Sequence, residues 1–182
     1  MDEKQAIELL KKYAPDEERF KKVLEHSKAV QKVALRIAEE IVANGHHVDI
    51  KFLIGACLLH DIGRFKTGKD GENIIQHGII GAEILRKEGV DERYALVCER
   101  HIGSGIDKED IEEQKLDLPL NDYIPESIEE KIVCYTDSLI FGNKEGTIEQ
   151  VIERYRKEVG EKLVEKTKKL HEEIEKLRGK ID

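Results

Sequence analysis

The stretch Ala56-Cys57-Leu58-Leu59-His60-Asp61-Ile62-Gly63 runs from an apolar segment directly into an adjacent histidine and aspartate. Residues 52–59 carry no charge, which predicts a buried core helix that is too short to span a membrane. The imidazole and carboxylate at its end are costly to bury unless they are paired, and a metal ion is the simplest partner. Both side chains can turn towards one point at a helix end, before a glycine that can adopt unusual backbone angles. The alternative is an ordinary surface helix end with two polar residues.

The composition of the 182 residues limits the classes of protein to consider. The length suits one domain, residues 1–182, with a substantial core. The formal net charge of −8 argues against nonspecific binding of nucleic acid by the whole surface. The N-terminus lacks the pattern of a secretory signal, and no segment is apolar enough to cross a membrane. We therefore expect a cytoplasmic protein whose cysteines, Cys57, Cys98 and Cys134, are buried free thiols.

Helical periodicity dominates the chain and predicts an all-α fold, because apolar residues recur at three- and four-residue steps without strand-like alternation. We expect helices over about residues 2–13, 15–44, 76–89, 91–101 and 107–118, with one more from 49 through the quoted stretch. Capping boxes begin two further helices, at Ser127 and at Thr147. The first of these ends at Gly142. The last helix, residues 147–182, bends near Gly160 and packs its narrow apolar stripe on the domain or on a second chain.

A group of imidazoles and carboxylates is expected on the inward faces or ends of these helices. Its members are His26, His60, Asp61, His77, His101 and Asp137. Each one alone could be a satisfied core residue, since a single buried histidine bonded to a backbone carbonyl is the more common outcome. Together they are too many unsatisfied polar groups for a small core. A helical bundle with inward ligands from several helices is an established way to hold one or two metals.

Cations follow the His-Asp pair in a loop marked by glycines, residues 64–71. Arg64 and Lys66 lie close enough in sequence to the pair to contact phosphate oxygens. Lys69 is expected to be solvated.

The order of the inward residues resembles the signature of the HD-domain metal-dependent phosphohydrolases, His…His-Asp…Asp. His26, His60-Asp61 and Asp137 match that signature, and the resemblance spans about residues 23–141. His77 and His101 look like the extra ligands of the two-metal branch of this family.

The sequence motifs around these histidines are similar to those of the branch that hydrolyses diadenosine tetraphosphate. They are His60-Asp61-Ile62-Gly63, His77-Gly78, Gly81-Ala82-Glu83 and His101 followed by Gly103. Two departures leave the nucleotide open. Residues 103–106 read Gly-Ser-Gly-Ile where the cyclic-dinucleotide branch has Gly-Tyr-Pro, and Arg64 stands where the diadenosine branch commonly has lysine.

The resemblance implies an HD-domain helical bundle, with a core over residues 16–142 and the metal site inside it. One metal would take His26, His60, Asp61 and Asp137. The second would take His77, His101 and the other oxygen of a bridging Asp61. A metal-bridging hydroxide would attack phosphorus in line, while the metals and Arg64 or Lys66 stabilise the phosphoryl oxygens. Imidazole and carboxylate ligands suit iron, manganese, cobalt, nickel or zinc, and we favour iron or manganese.

We therefore expect a metal-dependent phosphohydrolase that acts on a phosphoester or phosphoanhydride of a small nucleotide or dinucleotide. Neither nucleic acid nor a membrane is an expected partner, and a homodimer is one arrangement for the last helix. Two alternatives stay open: a di-iron oxygenase of the HD type that cleaves carbon–phosphorus bonds, and a non-catalytic nucleotide-binding module that uses the last helix as a partner surface.

Overall fold

The computed structural model describes residues 1–67 and 74–181. Most of the loop expected at residues 64–71, including Lys69, lies outside the described residues. The helices are α1 (Glu3–Tyr13), α2 (Glu17–Ala43), α3 (Ile50–Leu59), α4 (His77–Lys87), α5 (Glu92–Arg100), α6 (Lys108–Gln114), α7 (Ile128–Leu139), α8 (Ile148–Glu158) and α9 (Glu161–Leu177). Short 3₁₀ turns cover Ile62–Phe65 and Ile74–Gln76. The all-α fold predicted from the sequence is confirmed.

Side-chain caps explain where the helices begin. The predicted first residues, Asp2, Asp49 and Asp91, are N-caps whose carboxylates accept backbone N–H groups of the first turn. Thr147 forms the complete capping box with the third helical residue. At Ser127 only half of the predicted box forms, since Ser127 caps the helix but the carboxylate of Glu130 bonds to neighbouring groups instead.

Several predicted helix boundaries are wrong. Pro15 precedes the N-cap Asp16 and does not enter α2. The helix predicted to reach Gly142 ends at Leu139, because β1 (Ile140–Phe141) pairs with β2 (Lys144–Glu145) in an antiparallel hairpin. The single last helix is two helices, α8 and α9, because Gly160 adopts a φ of 134° that helical residues do not use.

The helix that carries the quoted stretch, α3, lies at the centre of the core. It packs against α1, α2, α5 and α7. Its apolar residues from Phe52 to Leu59 are buried apart from Ile54, as expected from the uncharged sequence. Fully burying one leucine of this kind contributes about 1.5–3 kcal/mol. The apolar core therefore holds the end of α3, and with it the His-Asp pair, in one place.

The last helix packs back on its own domain. Val164, Leu170 and Ile174 of α9 are buried, and α9 contacts α7 and α8. A homodimer through this helix stays a prediction. None of the helices in the described part of the chain is long and apolar enough to cross a membrane. The three cysteines are free and buried, as predicted.

Candidate metal centre

Helix ends and helix faces bring the predicted inward residues to one place. His26 lies in the middle of α2, and Asp137 lies in the last turn of α7. His60 and His101 are the C-cap residues of α3 and α5, and His77 is the first residue of α4. Asp61 follows directly after His60. Such positions at helix ends free side chains from the regular spacing that separates neighbours within a helix.

The convergence of His60 and Asp61 has a different cause from the one expected. Gly63 is not among the glycines with a positive φ, so the prediction that it adopts an unusual backbone angle is wrong. Instead, a Cβ atom at Gly63 would lie 1.9 Å from the backbone oxygen of His77. The glycine is needed because the 3₁₀ turn touches the backbone of α4 there. This close approach brings His77 to Asp61.

Asp61 lies at the centre of the group. Its Oδ1 is 3.2 Å from His77 Nε2 and 3.5 Å from His101 Nε2. Its Oδ2 is 3.6 Å from His26 Nε2 and 3.7 Å from His60 Nε2. Each oxygen of one buried carboxylate therefore faces a different pair of imidazoles.

Asp137 lies on the α2 side of the group. Its Oδ1 is 2.8 Å from His26 Nε2 and 3.5 Å from His60 Nε2. The ligand-type atoms of His26, His60 and Asp137 lie within 4.8 Å of one another, and so do those of His60, Asp61 and His101. These are two overlapping clusters that could hold a metal ion.

The four imidazoles share one orientation, in which Nε2 points to the centre and Nδ1 bonds to a backbone carbonyl. The acceptors for His26, His60, His77 and His101 are, in that order, the carbonyls of Gly142, Cys57, Ile74 and Cys98. A proton held on Nδ1 in this way leaves Nε2 able to act as a ligand. Bonds from the outer ring nitrogen to a carbonyl are typical of metal-binding histidines.

Burial and charge act in opposite directions on the two carboxylates. Burial opposes ionisation of Asp61, but the electrostatic attraction of His60 and Arg64 outweighs burial and holds the pKa of Asp61 well below its usual value. Burial also opposes ionisation of Asp137, but the hydrogen bond from His26 and the nearby His60 hold the pKa of Asp137 well below its usual value. Burial lowers the pKa of His26, but Asp137 raises it by more, and the resulting pKa is about 9. Both carboxylates are therefore anionic at neutral pH.

Unpaired lone pairs at the centre fit a divalent transition metal. His60 Nε2 and Asp61 Oδ1 are buried and have no hydrogen-bond partner. His77 Nε2 and His101 Nε2 lie 2.9 Å apart. If each of these rings keeps its Nδ1 proton, two lone pairs face each other, which is unfavourable without a cation or an extra proton beside them. Imidazole nitrogens mixed with carboxylate oxygens are the donor set of iron, manganese, cobalt, nickel and zinc.

An open cleft of about 900 Å³ reaches the centre and is lined in part by His26, Asp61 and Arg64. Arg64 Nε lies 2.6 Å from Asp61 Oδ2, so this predicted phosphate contact is now an ion-pair partner of the central carboxylate. The positive charge of Arg64 therefore lies beside a carboxylate that could bind a metal ion. Lys66, also predicted to contact phosphate, is exposed and is not among the described residues that line the cleft.

The sequence reasoning missed two cations that line this cleft, Arg19 and Lys22 of α2. They precede His26 by seven and four residues, a spacing that puts all three on one helix face. That spacing was the signal that could have indicated them.

A helical bundle whose core gathers imidazoles and carboxylates able to hold a metal defines the class of protein, an HD-type helical domain. Comparison with known families agrees, since the model of the HD domain matches residues 23–142. The chain belongs to the HD-domain family.

Three curated relatives resemble most of this chain. An uncharacterized protein of Methanocaldococcus jannaschii is 43% identical over 88% of this chain and 88% of its own length. The tRNA (cytidine(56)-2'-O)-methyltransferase of Picrophilus torridus is 39% identical over 94% of this chain, and that of Thermoplasma volcanium is 41% identical over 93%. The matched region is only 50% and 46% of those two methyltransferases, so this chain corresponds to about half of each.

A solved structure has the same fold. The HD domain of the L. monocytogenes phosphodiesterase PgpH, in complex with cyclic-di-AMP, superposes with a TM-score of 0.57. The match covers 96% of this chain and 93% of that one at 16% identity.

Proposed function

We propose that this chain is a metal-dependent phosphohydrolase that acts on a phosphoester or phosphoanhydride of a small nucleotide or dinucleotide. The observation that carries the proposal is the largely buried group of four Nε2 atoms and two carboxylates beside an open cleft of about 900 Å³. A cleft of this volume suits a ligand of nucleotide size. The HD domain of PgpH, which has the same fold, was solved with a cyclic dinucleotide.

In this proposal His26, His60, Asp61 and Asp137 hold one divalent metal, and His77, His101 and the second oxygen of Asp61 hold another. Iron or manganese is favoured by the mixed nitrogen and oxygen donors. When bound, such ions supply Lewis acidity and a water of lowered pKa.

The chain's own residues orient these donors and receive the substrate. The Nδ1 bonds to backbone carbonyls fix the imidazoles before substrate arrives, which lowers the cost of reorganisation. Arg64, released from Asp61 when a cation takes up that carboxylate, is then able to contact a phosphoryl oxygen from the cleft.

The hydrolase proposal is tested with protein loaded with manganese or iron and a panel of nucleotides. The panel covers nucleoside monophosphates, di- and triphosphates, cyclic dinucleotides and dinucleoside polyphosphates. We expect hydrolysis of at least one class, lost by at least about a hundredfold in Asp61→Ala, because removing the central carboxylate disrupts both proposed metal sites. His47→Ala changes an exposed histidine outside the group and is the matched control. A wild-type protein that is inert on every class would contradict the proposal.

Metal stoichiometry tests the two-metal assignment separately. We expect about two equivalents of transition metal in protein prepared without chelator, and about one in His77→Ala. One equivalent in the wild type, unchanged in His77→Ala, would leave His77 and His101 as substrate contacts.

Two further measurements separate the alternatives. Oxygen uptake with cleavage of a carbon–phosphorus bond would favour the oxygenase, whose ligands would be the same. Tight nucleotide binding without turnover would favour the non-catalytic module.

The relatives favour a second candidate substrate class. Because this chain is 39% and 41% identical to about half of two tRNA methyltransferases, a tRNA or a tRNA terminus is a candidate substrate. Adding tRNA transcripts to the panel tests this, with release of phosphate or nucleotide as the positive result. The net charge of −8 makes the small nucleotide our first choice.

A further inference from the structure

The first turns of α2 form one wall of the cleft, on the outer side of His26. Arg19 and Lys22 line this wall, and their helical spacing to His26 points all three side chains into the same space. Neither cation belongs to the proposed metal centre. Their state of pairing shows whether they are available to an anion.

Arg19 holds its guanidinium beside the loop that carries Arg64. It donates hydrogen bonds to the backbone carbonyls of Arg64 and, at 3.3 Å, Thr67. Among the described residues no carboxylate lies within ion-pair distance of Arg19, and the partners of its guanidinium there are neutral backbone carbonyls. Arg19 is only half-buried, and it lines the cleft. The carbonyl bonds fix this charge at one position.

Lys22 resembles Arg19 in having no carboxylate partner among the described residues, whereas its neighbour Lys21 has one. Lys21 forms an ion pair with Glu17, four residues earlier, at 3.9 Å. Lys22 has Glu18 at the same spacing, yet no described carboxylate lies within ion-pair distance of its ammonium group. Lys22 lines the cleft, whereas Lys21 does not. The Lys22 ammonium group, which has no carboxylate partner in the described part of the chain, therefore lies on the cleft side of the helix.

Besides Asp61, three carboxylates at the start of α2 also line this cleft, namely Asp16, Glu18 and Glu25. Asp16 is engaged as the N-cap of α2. With mixed charges on its walls, the cleft does not attract anions by its net field alone. Binding there needs direct contact with the cations, which favours a compact multiply charged group over a diffuse one.

We propose that Arg19 and Lys22 form a second phosphate subsite, separate from the proposed metal centre, so that a ligand with two phosphate groups is held at both places. Four residues, about 6 Å along the helix axis, separate Lys22 from His26 in α2, and side chains lean towards the helix N-terminus. We expect a single phosphate at the metal centre to lie out of reach of the Lys22 ammonium group, and a second phosphate of the same molecule to contact it. The inference rests on the proposed function for the position of the first phosphate.

The test measures binding of two inert probes, methylenediphosphonate and methylphosphonate, by calorimetry on protein loaded with manganese and desalted. Both probes carry P–C bonds that a phosphohydrolase does not cleave. We expect Lys22→Met to weaken methylenediphosphonate about tenfold, the loss of one charge-assisted contact, and methylphosphonate less than about twofold. Lys21→Met removes another exposed charge, at the neighbouring position, and should change neither affinity. Metal content is measured after each titration, to exclude loss of manganese to the diphosphonate.

Equal losses for the two probes, no loss in Lys22→Met, the same loss in Lys21→Met, or no binding of either probe would each overturn the subsite. Because the probes are not turned over, the result does not depend on finding a substrate. Protein that is inert on every nucleotide but loses diphosphonate affinity in Lys22→Met would contradict the hydrolase while supporting the subsite. Protein that hydrolyses a nucleotide but shows no difference between the probes would support the hydrolase and contradict the subsite.

Discussion

Gly63 is the residue whose small size allows α4 to approach the centre. A Cβ atom at position 63 would lie 1.9 Å from the carbonyl oxygen of His77 and 2.6 Å from the amide nitrogen of Gly81. Both atoms belong to the backbone of α4, which cannot rotate away as a side chain can. The distance between His77 and Asp61 therefore depends on the absence of a side chain at Gly63.

We expect Gly63→Ala to lower the free energy of unfolding by about 3 kcal/mol, the upper end of overpacking costs, because α4 must move as a whole. Gly81→Ala is the matched control. Its Cβ would meet Cys98 Sγ and the Gly63 nitrogen at 3.3 Å, and alanine in a helix gains up to about 1 kcal/mol over glycine. Urea titrations of the two variants measure the difference. Equal losses would contradict the account of Gly63.

At the level of single residues, sequence periodicity predicts where polar groups face but not what they touch. His26 and Asp137 could be predicted because they stand on apolar helix faces. The contact of Gly63 with α4 could not, since tertiary packing alone decides it. Lys66 is close to Asp61 in sequence, but the intervening 3₁₀ turn leaves it exposed, and its contact with phosphate stays a prediction.

The contact between α6 and α9 fixes the segment that follows His101. Lys166 of α9 lies 2.6 Å from Asp107 Oδ2 and also bonds to Asp110, while Lys162 lies 3.1 Å from Asp110 Oδ1. Asp107 is at the same time the N-cap of α6. Burial raises the pKa of Asp107, but the hydrogen bonds from Lys166 and from the backbone N–H of Asp110 lower it by more. The resulting pKa is about 2.

A lowered pKa gives stability that is present above the unfolded-state value, about 3.9, and is lost as the pH falls towards 2. A full shift of this size corresponds to about 2.6 kcal/mol, and partial exposure of Asp107 reduces it to about 1 kcal/mol. We expect Asp107→Asn, which keeps a good N-cap, to be less stable than the wild type by that amount at pH 6. The difference should shrink between pH 4 and pH 2. A difference that does not change with pH would show that Asp107 acts only as a cap.

At the level of elements, helix starts were more predictable than helix ends. A start such as Asp49 is specified by one side chain that bonds to the nearby backbone. The end of α7 at Leu139 is specified by the pairing of β1 with β2, which involves residues further along the chain. The separation of α8 from α9 was foreseen as a bend at Gly160, and the positive φ of that glycine makes it a break.

For the whole molecule, the order of a few polar residues predicted more than the composition did. The spacing His26, His60-Asp61, Asp137 predicted the HD-domain family, which the family comparison confirms over residues 23–142. The correspondence of this chain to half of longer methyltransferases emerges only from comparison with those relatives, because none of the motifs discussed above indicates it. The branch of the family and the substrate stay proposals, because they depend on cleft residues rather than on the signature.

The two carboxylates of the centre give the molecule as a whole a link between metal and stability. Asp61 is buried, and the partly buried Asp137 belongs to the cluster that overlaps with that of Asp61. Without a metal, the positive charges of Arg64 and a protonated His26 are the compensation that the structure provides. A divalent cation that binds only the folded chain adds its binding free energy to the free energy of unfolding.

We expect saturating Mn²⁺ to raise the Tm of chelator-treated protein by about 5–10 °C, since a ligand at a hundred times its Kd contributes about 2.7 kcal/mol in a chain of this length. Asp61→Asn should abolish most of that shift. It should also melt below the Tm of metal-free wild type, because Arg64 loses the carboxylate that pairs with it. Mg²⁺, which prefers all-oxygen sites, should produce a much smaller shift at the same concentration. Thermal melts across a metal titration measure all three, and an equal response to Mg²⁺ and Mn²⁺ would argue against a centre built from imidazoles.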